Sequence, residues 1–80
     1  MTDATIKPDP RAIDLFVTED MLLVSLADGR ELSVPLAWSP KLLSAGEAQR
    51  AGGRIVADGA ALHWPEIDED IVVASLLRLA

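Results

Sequence analysis

One short run holds most of the side chains in this chain that could do chemistry: His63-Trp64-Pro65-Glu66-Ile67-Asp68-Glu69-Asp70-Ile71. It sets the only histidine beside four of the thirteen acids within nine residues. Imidazole is the side chain best suited to proton transfer near neutral pH when carboxylates lie close. Four acids could instead gather a cation that wants several oxygen ligands, or supply a pair for glycoside hydrolysis. Each reading has a plain rival. No serine, cysteine or threonine is placed beside His63 as a nucleophile. The acids lack the central glycine and closing glutamate of a calcium loop, and so short a chain can hardly enclose a substrate cleft. The rival reading is a strand ending at Trp64, a turn at Pro65 and a helix entered through its acids, with Asp68 or Asp70 as its cap. In such a strand Leu62 and Trp64 share one face and His63 the other, half exposed. The sequence therefore predicts no catalytic residue, no cofactor and no metal.

Those side chains must be carried by one small domain. Eighty residues allow a single core, and half of them are apolar, which argues against disorder over most of the length. With no cysteine, no disulfide or thiolate metal site is available. A domain of this size is marginal, because ordering entropy nearly cancels hydrophobic burial. Tight packing, a dimer or a bound partner would compensate. Seven basic residues against thirteen acids give a net charge of −6, and the basic ones are scattered. That pattern disfavours direct binding to nucleic acid or to an anionic membrane and suits a basic protein partner. The start of the chain lacks the basic and apolar regions of a signal peptide, so cytoplasm is the expected compartment.

Residues 1–10 carry Pro8 and Pro10 and read as an extended arm; residues 11–80 form the domain. Ala12–Thr18 and Met21–Leu26 read as strands, with Leu22, Val24 and Leu26 on one face. Asp28-Gly29 signals a hairpin of type I′, whose two central residues need φ > 0. Arg30–Pro35 returns with Leu32 and Val34 inward. Ser39 is a good N-cap and Pro40 a good first helical residue. A short helix with Leu42, Leu43 and Ala45 toward the core follows, continued after Gly46 by Glu47–Arg50 and broken by Gly52-Gly53. Arg54–Ala57 and Ala60–Trp64 read as strands around a second Asp-Gly turn. Asp70–Arg78 reads as a C-terminal helix with acids at its start and Arg78 in its last turn, although the run 71–73 is β-branched. The order is βββαββα: an α+β domain, a small antiparallel sheet with two short helices. Trp38 and Trp64 read as core or rim anchors, or as partner contacts if exposed.

Three groups of residues together resemble the DUF2442 family of small bacterial proteins: Asp28–Leu36 followed by Trp38, Pro40 and Leu42; Leu62-His63-Trp64-Pro65 with Asp68-Glu69-Asp70-Ile71; and Leu76-Leu77. The resemblance spans about residues 13–78. It implies a small α+β fold similar to the N-terminal domain of a Nitrosomonas protein. Some members add a helix-turn-helix domain, for which this length leaves no room. Family genes often adjoin genes of another short family, DUF4160, in an arrangement like a toxin–antitoxin pair with this family as antitoxin. The chain departs from the family pattern at Ser39 and Lys41, which often are an aromatic and an arginine. It departs again at Val72, often a serine that would cap the last helix, and at Gly46-Glu47, where Thr-Pro-Glu is common.

The expected function is thus that of a non-catalytic, antitoxin-like module binding a protein partner, such as a DUF4160-like neighbour product. The candidate contact residues are Trp38, Lys41, His63, Glu66, Asp68, Glu69 and Asp70. The alternative is a self-associating sensory or regulatory module, a homodimer serving transcription control without binding DNA itself.

Overall fold

The computed structural model describes residues 7–79; residues 1–6 of the expected arm and Ala80 lie outside the described part. The described chain runs β1 (Ala12–Val17), β2 (Met21–Leu26), β3 (Glu31–Pro35), a 3₁₀ turn (Leu36–Trp38), α1 (Pro40–Leu43) and α2 (Glu47–Ala51). It continues through β4 (Arg54–Val56), a turn at Ala57–Gly59, β5 (Ala61–Trp64), β6 (Glu69–Val72) and α3 (Val73–Leu79). The α+β class and the antiparallel pairing are as expected. The strands, however, form two three-stranded sheets, ordered β1-β2-β3 and β4-β5-β6, with β1 lying alongside β4.

Alternation builds the core. On β2, Leu22, Val24 and Leu26 are buried, and on β3 so are Leu32 and Val34. On β5 the inward residues are Leu62 and Trp64. Together with Leu36, Leu42, Val73 and Leu76 they form one apolar cluster shared by both sheets. Each side chain of this size adds roughly 1.5–3 kcal/mol when fully buried. Leu43 differs from expectation and is 48% exposed. On a helix of one turn, neighbouring residues point about 100° apart, so only Leu42 enters the core.

The two Asp-Gly pairs make different turns. The Gly29 N–H bonds to the Leu26 carbonyl at 3.1 Å, and Gly29 alone of its pair has positive φ, +95°. This is a three-residue loop with a left-handed glycine in place of the expected type I′ turn. At the second pair both central residues are left-handed, Asp58 at φ 55° and Gly59 at φ 89°, and the Ala60 N–H bonds to Ala57. That is the type I′ arrangement. Pairing register separates the cases: Val56 opposes Ala61, whereas Ser25 opposes Glu31 and leaves a residue more to accommodate.

The segment after Trp64 departs most from expectation. It turns through Pro65–Asp68, with Asp68 at φ 51°, and returns as β6 rather than entering a helix. Asp68 therefore lies in the turn and Asp70 on a strand, so neither stands at the start of the helix, which begins at Val73. The β-branched Ile71 and Val72 suit a strand, and cross-strand pairing with β5 outweighs the dipole that acids would favour at a helix start.

Candidate functional site

Ser39 joins the two halves of the candidate surface. Its Oγ accepts the Leu42 N–H at 3.3 Å, the expected cap of α1, and donates to Glu69 Oε2 at 2.5 Å. The other oxygen of Glu69 takes the Asp70 N–H at 3.1 Å. Lys41 reaches the Asp68 carbonyl with Nζ at 2.8 Å. The start of α1 is thereby clamped to the edge of β6, and the Asp68 carbonyl and Asp70 N–H beside that edge are occupied.

Opposite faces of β5 separate the next pair. Trp64 is fully buried and its indole N–H donates to the Arg50 carbonyl at 3.0 Å, which places it in the core. His63 points outward, where its Nδ1 lies 2.6 Å from Asp70 Oδ1. Arg54, His63 and Asp70 stand in one lateral row across the three strands. The dyad is on an open sheet face, with the Asp70 side chain 68% exposed.

Trp38 is 47% exposed and lines a groove of about 340 Å³. The groove runs between the end of β3, the edge of β6 and α3. Buried Leu36 and Leu42 line it, Val72 and Leu79 are exposed at its margin, and Glu69 and Asp70 bring charge to one side. Of the seven candidate residues, the structure gathers Trp38, Glu69 and Asp70 on this groove and adds Lys41 through Asp68. His63 meets the group only through Asp70. Glu66 turns away, so that its Oε2 lies toward Gly52.

Two polar residues outside the candidate set also hold the scaffold. Arg50 donates from Nε to the Leu42 carbonyl at 3.0 Å and from Nη2 to the Leu43 carbonyl at 2.8 Å, closing the C-terminal end of α1. Asp28 accepts from Arg30 and from the Asp9 N–H at 2.9 Å, which fixes the arm to the first hairpin. The Arg30 guanidinium, then the Asp9 N–H, hold the Asp28 carboxyl down to about 2. An Asp-Gly-Arg sequence signals the turn but says nothing of a contact nineteen residues back.

Among the described residues no group of three or more histidines and acids is arranged to hold a metal ion. No described helix is long and apolar enough to cross a membrane.

A two-sheet α+β module with an apolar groove beside an acidic hairpin is the class that fold and surface define. The model of the DUF2442 family, described as a protein of unknown function, matches residues 12–80, and the chain belongs to that family. Among solved structures it is similar to a protein of unknown function from Rhodospirillum rubrum ATCC 11170, determined at 2.75 Å. The two share 24% identity, with a TM-score of 0.75 over 85% of this chain and 84% of that one. At that identity the likeness shows the fold. No protein of curated function matches the chain.

Proposed function

We propose that this protein is a non-catalytic interaction module that acts by binding a protein partner. The observation that carries the reading is the groove, with Trp38, Val72 and Leu79 exposed at 47%, 51% and 69% around its buried floor. Large apolar side chains left open in a cluster beside a polar rim mark binding surfaces, and tryptophan is enriched among residues that dominate binding energy. The lone imidazole supports the same reading. Its Nδ1 is engaged by Asp70 on a sheet face, away from the groove floor. An antitoxin role beside an adjacent gene's product is the finer form of the proposal, and the family resemblance supports it. Co-expression with that product should give one co-eluting complex on size exclusion and restore growth if the product is toxic. Separate elution without any growth effect overturns the proposal.

A second reading, self-association, is favoured by one observation. Phe16 is 65% exposed on β1 and opposes Leu23 on the outer face of the first sheet. It predicts a homodimer by light scattering at micromolar concentration that Phe16→Ser converts to monomer; a wild-type monomer at all concentrations excludes it.

A further inference from the structure

We infer that the groove between β3, β6 and α3 receives a basic amphipathic segment of the partner, apolar side chains seated against Trp38 and Leu79 and lysine or arginine set over Asp68 and Asp70. The inference rests on the partner reading and specifies its occupant. Shape and charge carry it together. The groove offers an apolar floor and an exposed indole, the features that hold an anchor side chain. Asp70 stands at its margin with a carboxylate that stays 68% exposed beside His63, and exposed Asp68 lies two residues earlier, on the turn just outside the groove lining. Basic side chains on the adjoining elements are already engaged: His63 Nδ1 lies 2.6 Å from Asp70 Oδ1. Lys41 is occupied by the Asp68 carbonyl, and Arg78 bonds Ser75 on α3. The chain as a whole carries a net charge of −6, so a second copy would meet like charge here, whereas a basic segment meets its complement.

The groove also has a built wall. Ser39 and Glu69 hold α1 against β6, so Trp38 stands on a support already in place before any partner arrives. Such preorganisation reduces the ordering cost of binding. Trp64 is fully buried, so a change in tryptophan emission on binding reports Trp38.

The test uses the full chain and a synthetic amphipathic peptide of three helical turns, leucine on one face and arginine on the flanks. A second peptide with glutamate for arginine is its counterpart. The arginine peptide should move Trp38 emission to shorter wavelength, and the glutamate peptide should not. Trp38→Ala, read by calorimetry, and Asp68→Asn with Asp70→Asn should each weaken binding about tenfold. Glu19→Gln with Glu47→Gln, an equal change of charge elsewhere, should change it less than about twofold if attraction is local. Equal weakening by both charge pairs, or unchanged binding by the tryptophan variant, overturns the inference. Circular dichroism of each variant checks that it is folded. An adjacent-gene product that co-elutes equally with wild type and Trp38→Ala sinks the groove inference and leaves the partner reading standing. A product that ignores wild type sinks the partner reading, and the peptide titration still judges the groove.

Discussion

Gly53 has no room for a methyl group. A Cβ there would lie 2.5 Å from Trp64 Nε1 and 2.7 Å from Cε2, against a ring locked in the core. Gly53→Ala should therefore destabilise by about 1–3 kcal/mol, the cost of overpacking, in urea denaturation. Gly29, at φ +95° with open space around it, tests the other effect, backbone strain alone. Its alanine variant should cost about 1 kcal/mol. Asp28 gives a pH dependence. Its folded pKa is about 2, held down by Arg30 and then by the Asp9 N–H, against about 3.9 for an unfolded aspartate. The unfolded chain thus binds the proton more readily, and the contribution of Asp28 is fully present above about pH 4 and lost as pH falls toward 2. Denaturation midpoints between pH 2 and 5 should fall less steeply in Asp28→Asn than in wild type. Parallel curves would show that the arm contact has no such role.

At the scale of elements, the junction between α1 and β6 depends on one hydroxyl. Ser39→Ala removes the cap of Leu42 and the partner of Glu69 together. The expected loss is about 1–2 kcal/mol, and Ser39→Thr should recover most of it because the oxygen is retained. Equal stability of alanine and serine variants would show that the junction is idle. The neighbouring leucines supply a contrast within one helical turn. Leu42 is fully buried and Leu43 is 48% exposed, so Leu42→Ala should cost about 2–5 kcal/mol and Leu43→Ala under about 1. The hydrophobic pattern alone cannot rank these two residues, because a single turn is too short to show a period.

At the scale of the whole molecule, the described residues share one core. Leu22 and Val24 from the first sheet and Leu62 and Trp64 from the second belong to the same buried cluster. Neither three-stranded sheet has a separate apolar interior among the described residues. Unfolding should accordingly be a single transition, with tryptophan fluorescence and far-ultraviolet circular dichroism superimposing. Val24→Ala in one sheet and Leu62→Ala in the other should lower both signals' midpoints together. Two resolved transitions would mean that the sheets fold as separate units.

Alternation and turn chemistry made much of the fold legible from sequence. The first two hairpin strands, the cap at Ser39 with Pro40 after it, the break at Gly52-Gly53 and the inward set from Leu22 to Val34 all follow from interactions within a few residues. The family was legible as well, through the His-Trp-Pro and acidic motifs. What lay beyond reach was decided by contacts between distant residues. Glu69–Val72 carries acids suited to a helix start and β-branched residues suited to a strand, and only pairing with β5 chooses between them. The clamp of α1 on β6 and the fixing of Asp9 at Asp28 join residues 30 and 19 positions apart. Of the candidate surface, sequence proximity brought His63 and the acids together, but the tertiary structure sorted them. It buried Trp64, turned Glu66 away and opened beside Trp38 a groove whose walls come from β3, β6 and α3. The sequence by itself determined most of the local elements and their faces, with β6, the first Asp-Gly turn and Leu43 as the exceptions. The tertiary structure decided which of those faces stayed open, because exposure depends on everything that packs around a residue.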